Sequence, residues 1–306
     1  MNKYICISGS TASGKSALAL KLSNHLSNSV VINVDAQQVY KCWEILTDRP
    51  LESKENDFRL YGHVSCKENY NAGNWLKDIE ELLSEFNNTN KNFIFVGGTG
   101  LYFNSLLNGL SRVPQIEKEI KQESIKRSNS INFFIRELTK KDPETLEAID
   151  KKNIRRLQRA WEVVEQTGKG LTYWHKKNSS PLIPIKDTSL FLLDSKKEQL
   201  NKSIEKRIET MIERGVIDEV NEVYKRGWNS NLPFAKAIGA IEIIDYLENE
   251  SNLDDLKSSI SIKTQQFAKK QRTWQRKYMS DWKKLDNRNP TQKNIGIIAQ
   301  ELKRKN

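Results

Sequence analysis

Apolar and polar positions follow two regimes along the chain. In the first hundred residues, short apolar runs alternate with amphipathic stretches, as expected of buried strands separated by helices. Lys3 to Ile7 is one such run and predicts a buried first strand. Ala17, Leu18, Leu20 and Leu22 then supply the apolar side of a helix. Val30 to Val34 predicts a second strand, and Asn92 to Val96 a further one. Between them, Thr47 to Pro50 and Arg59 to Val64 lie in a polar connection. Trp75 to Phe86 reads as an amphipathic helix, with Trp75, Ile79, Leu82, Leu83 and Phe86 on one side.

From about Pro114 to Pro184 the strand signal disappears and charged helical patterns replace it. In Asn153 to Gly168, Ile154, Leu157, Trp161 and Val164 fall on one side at helical spacing. Lys152, Arg155, Arg156 and Arg159 fall on the other. Thr188 to Leu193 reads as a returning strand. Gln199 to Arg214 predicts a long helix buried through Leu200, Ile204, Ile208, Met211 and Ile212. Ile262 to Met279 predicts another, with Phe267, Gln271, Trp274 and Tyr278 on one side and Lys269, Arg272 and Arg276 on another. The polar, basic tail from Asn287 predicts no element, and no internal repeat is apparent. The pattern implies an α/β fold, a parallel sheet flanked by helices with an all-helical insertion. Residues 1–115 form the first part of the core, 116–185 the insertion, and 186–306 the second part with a basic C-terminal helix.

Charge sharpens this picture. Fifty Lys and Arg against 39 Asp and Glu leave a net charge of +11. That excess favours a polyanionic partner, and nucleic acid above all. The cations on one side of 153–168 repel one another unless a polyanion lies against them or water solvates them. An aromatic and amide stripe beside a basic one, as in 262–279, suits stacked bases and a phosphate backbone; a core-facing stripe with a solvated back has the same pattern. Cys6, Cys42 and Cys66 are odd in number, scattered and without a C-x-x-C pair, which argues against a disulfide framework or a zinc site. His25, His63 and His175 suggest no metal cluster. No signal peptide precedes the first strand and no apolar run is long enough to cross a bilayer, so a soluble, cytoplasmic protein is expected.

The candidate chemistry sits at strand ends. Gly9-Ser10-Thr11-Ala12-Ser13-Gly14-Lys15-Ser16 matches G-x-x-x-x-G-K-[ST] between a strand and a helix, the context a P-loop requires. Its N–H groups and the helix N-terminus make an anion nest, Lys15 brings a cation to the outer phosphate, and the Ser16 hydroxyl is placed for Mg²⁺. The fold expectation is therefore a P-loop NTPase-like sheet. Asp35 follows the second strand at the edge where α/β sheets gather ligands. A carboxylate there either accepts a proton from an attacking group or caps the loop. Thr99, in the glycine turn Gly97 to Tyr102, offers a hydroxyl at the same edge. Lys236, after Leu232-Pro233, is either a surface charge or a second phosphate clamp. No apolar strand ends in Asp-Glu, which disfavours a translocating engine. A small-molecule kinase accounts for the first hundred residues but not for the basic insertion and final helix. A non-catalytic RNA-binding protein with a nucleotide site leaves Asp35 and Thr99 idle.

Over nearly its whole length the chain resembles the tRNA dimethylallyltransferase (IPP transferase) family. The resemblance rests on Gly9 to Ser16, Asp35 to Tyr40, Thr47 to Pro50, Gly97 to Tyr102, Arg155 to Ala160 and Lys269 to Arg276. It implies transfer of a dimethylallyl group from dimethylallyl diphosphate to the adenosine 3′ of the anticodon, with Mg²⁺, by a monomer without a stable protein partner. It implies Asp35 as general base on the adenine amine and Thr99 as its helper. It places Gly9 to Ser16 and Lys236 on the diphosphate. Asp35, Ala36, Gln37, Gln38 and Thr99 would touch the target nucleotide. Lys121, Arg155, Arg156, Leu157, Gln158, Arg159, the segment Lys236 to Ile241, and Lys269, Lys270, Gln271, Arg272, Trp274 and Arg276 would grip the anticodon stem-loop. The chain departs from the family's usual residues at Ser10, Ala36, Asp48-Arg49, Lys236 and Ile241. Lys236, where arginine is frequent, keeps the charge but lacks the two-pronged guanidinium.

Overall fold

The computed structural model describes residues 2–50, 57–87, 89–111, 113–177, 180–249 and 252–304. The chain forms two compact units, one of residues 1–107 and 182–306, the other of residues 108–181. The first unit begins with strand β1 (Lys3–Gly9), helix α1 (Lys15–His25), β2 (Ser29–Asn33), β3 (Asp57–Arg59), α2 (Ala72–Glu85), β4 (Asn92–Gly97) and α3 (Gly100–Asn108). The second unit holds α4 (Lys118–Lys126), α5 (Ile131–Lys141), α6 (Pro143–Ala148), α7 (Ile154–Thr167) and α8 (Leu171–Lys176). The first unit resumes with β5 (Thr188–Asp194), α9 (Lys197–Glu213), α10 (Val216–Lys225), α11 (Ala240–Asn249), α12 (Leu253–Tyr278), β6 (Lys283–Asp286) and α13 (Thr291–Arg304).

The six strands form one sheet in the order β3-β2-β4-β1-β5-β6, and every pairing is parallel. A parallel sheet is covered on both faces, which is why its central strands read as unbroken apolar runs. Ile5, Ile7, Val31, Ile94 and Phe191 pack with Leu18 and Leu22 of α1 and with Ile295, Ile298 and Leu302 of α13. A second core joins Val39, Tyr40, Trp43 and Leu46, which follow β2, to α9, α10, α11 and α12. Glu219 of α10 ties this connection down: its carboxylate accepts the N–H groups of Glu44, Ile45 and Leu46 at 2.8–2.9 Å. Among the described residues, no helix is long and apolar enough to cross a membrane.

The strand order has one consequence for the site. β4 lies between β1 and β2, so the loop after β1 and Asp35 after β2 are not on adjacent strands. They converge because β4 ends in glycines. A Cβ on Gly97 would lie 2.0 Å from the Val34 carbonyl oxygen. One on Gly98 would lie 2.3 Å from the Gln271 amide nitrogen and 3.3 Å from the Gly9 carbonyl oxygen.

Other expectations need correction. The tail is not featureless: residues 291–304 form α13, whose Ile295, Ile298 and Leu302 recur at helical spacing within a polar stretch. The last basic helix starts at Leu253, earlier than its aromatic residues indicate, because the Asn252 side chain caps it and Asp254 and Asp255 suit its first turn. The polar connection contains β3 and a parallel bridge between Tyr40 and Val64. That bridge draws Cys42 and Cys66 together, and they form a disulfide across 24 residues. Scattered spacing had argued against a disulfide framework, and spacing along the chain says nothing about a bridge set by tertiary contact. Cys6 stays a buried free thiol.

The helical unit packs Phe134 and Leu138 of α5 and Leu146 of α6 against Leu157, Ala160, Trp161 and Val164 of α7. The Asn153 side chain caps the start of α7, and Gly168, at φ 63°, ends it.

Gly97→Ala forces a methyl group into the Val34 backbone. It is expected to lower stability by about 2 kcal/mol or more. A urea denaturation midpoint equal to that of the parent protein would contradict this packing.

Candidate active site

β1 delivers its last residue, Gly9, into a tight loop. A Cβ there would meet the Ser13 hydroxyl at 2.6 Å. Ala12 at φ 58° and Gly14 at φ 87° both adopt the left-handed conformation. Such alternation turns successive N–H groups toward one point, and α1 adds the unpaired N–H groups of its first turn. The left-handed conformation costs an alanine about 1 kcal/mol, so the loop holds Ala12 in a shape that serves an anion. The Lys15 ammonium turns back to donate to the Ser10 carbonyl oxygen at 3.3 Å. Burial pushes the Lys15 pKa down, and the Asp35 carboxylate partly restores it. A bound anion would restore it further.

Of the two roles that the sequence left open for Asp35, the structure shows the loop cap. Its Oδ1 accepts the Gln37 N–H at 2.9 Å, a loop cap. Its other carboxylate oxygen takes no hydrogen bond among the described residues. The main chain of Asp35 is fixed by Asn33, which is fully buried. Asn33 Nδ2 donates to the carbonyl oxygens of Asp35 and Leu60, each at 3.0 Å, and Asn33 Oδ1 accepts the Asp35 N–H at 2.9 Å. Sequence reasoning missed Asn33, although a polar residue closing an apolar strand was a signal. Thr99 Oγ1 accepts the Ala36 N–H at 3.0 Å, so its hydroxyl stands beside the residue after Asp35. Tyr61 and Tyr102 stay neutral nearby, because burial and the Asp35 charge raise their pKa values.

These groups open on one cavity of about 470 Å³. Thr11, Lys15, Asp35, Ala36, Gln37, Gln38, Thr99, Lys236, Lys270, Gln271 and Trp274 all line it. Its walls are otherwise largely apolar, with Leu46, Ile204, Ile208, Met211, Ile260 and Phe267 among them. Gln37 donates to the Pro233 carbonyl oxygen, and Gln38 to those of Thr47 and Asp48. The 47–50 stretch thus supports the strand-end residues.

Two expected nucleic-acid contacts are used internally. Gln271 is buried, accepts the Thr11 N–H at 2.8 Å and donates to the Gly98 carbonyl oxygen at 3.1 Å. Its amide holds the P-loop tip to the glycine turn. Trp274 packs its indole nitrogen over Gly100, where a Cβ would come within 2.1 Å. Lys269 and Arg276 are exposed on α12. In the helical unit, Lys121, Arg155, Arg156 and Arg159 are exposed, whereas Leu157 and Gln158 face inward. Gln158 donates to the Ser124 carbonyl oxygen at 3.0 Å. The helical period carries these two residues into the core, so the reading of them as nucleic-acid contacts is corrected here. Arg207 of α9 was not foreseen. It lines the cavity and reaches the P-loop through Thr11.

A glycine-rich anion nest and a poised carboxylate on one cavity define a P-loop-type group-transfer site. The sequence profile of the family described as IPP transferase matches residues 38–278. A tRNA dimethylallyltransferase of Cereibacter sphaeroides (strain ATCC 17025 / ATH 2.4.3) is 40% identical, over 93% of this chain and 96% of its own length. The crystal structure of the tRNA isopentenylpyrophosphate transferase of Bacillus halodurans superposes with a TM-score of 0.69 at 26% identity, covering 99% of this chain and 97% of that one. A eukaryotic dimethylallyltransferase acting on tRNA superposes with a TM-score of 0.84 at 26% identity, covering 99% and 80%. The chain belongs to the IPP transferase family.

If the nest is the anion site, Lys15→Ala weakens binding of inorganic pyrophosphate by about tenfold or more, while Asp35→Asn leaves it equal or tighter. Calorimetric titration of the two variants checks this, and equal affinities for parent and Lys15→Ala would contradict it.

Proposed function

We propose that this chain transfers the dimethylallyl group of dimethylallyl diphosphate to the N6 amine of the adenosine 3′ of the tRNA anticodon, releasing diphosphate. The observation that carries this reading is the single cavity, on which an anion nest, an uncommitted carboxylate oxygen and an apolar wall all open. A kinase site needs the first two. The apolar wall of Leu46, Ile204, Ile208 and Met211 suits a five-carbon chain.

The adenine amine is a poor nucleophile because its lone pair is delocalised into the ring. In the transfer, the C–N bond forms as the allylic C–O bond breaks, and the electron pair of that bond leaves with the diphosphate. The proton lost by nitrogen goes to the uncommitted oxygen of Asp35. The Gln37 N–H holds that carboxylate and Asn33 fixes the Asp35 main chain, so little reorganisation is needed. Thr99, whose hydroxyl accepts the Ala36 N–H, would hold the amine side of the adenine. The loop N–H groups and Lys15 bind the departing diphosphate more tightly than the intact ester, which lowers the barrier.

Mg²⁺ fits this site only together with the diphosphate. Among the described residues, no cluster of His, Cys, Asp or Glu could hold a metal alone. The Ser16 hydroxyl at the head of α1 would supply one oxygen and the substrate the rest, as suits a cation that prefers phosphate oxygens. When bound, Mg²⁺ would neutralise charge on the leaving group.

The target adenosine must leave its stack to enter the cavity, at a cost of a few kcal/mol. Phosphate contacts offset that cost, and Lys121, Arg155, Arg156 and Arg159 of the helical unit together with Lys269, Arg272 and Arg276 of α12 are the groups assigned to them. Residues 116–185 are read as the tRNA-gripping insertion within a core of 1–115 and 186–306. The protein acts in the cytoplasm as a monomer.

Asp35→Ala is expected to slow the single-turnover chemical step by roughly 10²–10⁴-fold with tRNA affinity nearly unchanged. A normal rate would remove Asp35 as the base. Charge reversal of Arg155 and Arg159 together should weaken tRNA binding and flatten its dependence on salt. Equal affinity across a salt series would count against the helical unit as a tRNA contact.

A further inference from the structure

Among the described residues, Arg207 is the one arginine that lines the cavity. It lies on α9 and lines the same cavity as Lys15, Asp35 and Lys236. One prong of its guanidinium donates to Thr11 Oγ1 at 2.8 Å, and the other reaches the Leu46 carbonyl oxygen at 3.4 Å. Both partners are neutral, and among the described residues no carboxylate pairs with it. Its charge is felt at Lys15, whose pKa it helps to depress. The cavity wall therefore carries Lys15, Arg207, Lys236 and Lys270 against the single carboxylate of Asp35.

Like charges gathered in a half-buried cavity are costly unless an anion joins them. In this chain the two nearest the nest rest on neutral oxygens of the P-loop, Lys15 on the Ser10 carbonyl and Arg207 on the Thr11 hydroxyl. A phosphate oxygen is a far stronger acceptor than either. It would draw both groups off the loop without moving the helix backbone. The planar fork of a guanidinium can grip two phosphate oxygens at once, which the ammonium groups of Lys15 and Lys236 cannot do. The neighbours of Arg207 agree. Ile204, Ile208 and Met211 share its side of α9 and line the same cavity. This helix thus presents one cation within an apolar wall, matching a charged head with a short hydrocarbon tail.

We propose that Arg207 is the forked arginine that grips the diphosphate, both in the bound ester and as it departs, and that its contact with Thr11 is a resting position. The inference rests on the function proposed above. Arg207, rather than Lys236, then gives the site its two-point hold on the leaving group.

The test uses the full chain and two probes, inorganic pyrophosphate and tRNA. Arg207→Lys keeps the charge and loses the fork. It is expected to weaken pyrophosphate binding by roughly tenfold or more. It should slow single-turnover transfer from dimethylallyl diphosphate by about 10²-fold, with tRNA affinity and urea midpoint unchanged. Adding guanidinium at millimolar concentration to Arg207→Ala should restore part of the pyrophosphate affinity, and ammonium should not. Pyrophosphate affinity and transfer rate close to those of the parent in Arg207→Lys would overturn the proposal. So would a loss accompanied by a lowered urea midpoint and no rescue by guanidinium, which would make Arg207 a structural staple of the loop. If the parent protein transfers no prenyl group yet the pyrophosphate results hold, the function proposed above fails while the role of Arg207 as an anion clamp stands.

Discussion

The site depends on the absence of side chains at the end of one strand. β4 separates the strand that carries the phosphate loop from the strand that carries Asp35. Any residue larger than glycine at position 97 would push the Val34 backbone aside, and one at 98 would displace Gln271. With both bare, the two functional loops approach over the top of β4, and one amide of α12 ties the phosphate loop to the glycine turn. The nest and the carboxylate can therefore act on one substrate.

Electrostatics completes what that geometry allows. The cavity gathers cations around a loop whose N–H groups already favour an anion, yet it keeps one carboxylate within reach of them. The Asp35 carboxylate offsets part of the burial that depresses the Lys15 pKa. Burial keeps the tyrosines beneath Asp35 uncharged, so they do not compete with it for a proton.

Much of this was legible in the sequence, for local reasons. The phosphate loop, Asp35 and Thr99 each follow an apolar run directly, and strand ends are where a parallel sheet places its chemistry. The four central strands β1, β2, β4 and β5 were legible because they are buried on both faces, whereas the short edge strands β3 and β6 are only partly buried and were missed. What escaped was set by distant contact. Arg207 meets Thr11 across 196 residues and Gln271 meets it across 260, and no local pattern encodes either pairing. Leu157 and Gln158 show the opposite error. They belong to a run of residues associated with nucleic acid, but the helical period turns them inward and leaves three arginines outside. The last helix and the disulfide were missed because their residues are sparse along the chain and meet only in the fold.

The core of the account is that a phosphate cradle of the kind usually filled by nucleotides here activates an allylic ester toward an RNA base. The most direct test is to incubate the purified protein with unmodified tRNA and Mg²⁺, supplying dimethylallyl diphosphate in one reaction and ATP in another, and to analyse the nucleosides by mass spectrometry. The account predicts an adenosine bearing one added five-carbon unit, at the position 3′ of the anticodon, only with dimethylallyl diphosphate. Unaltered adenosine in that reaction, together with phosphoryl transfer from ATP to a small metabolite, would contradict it.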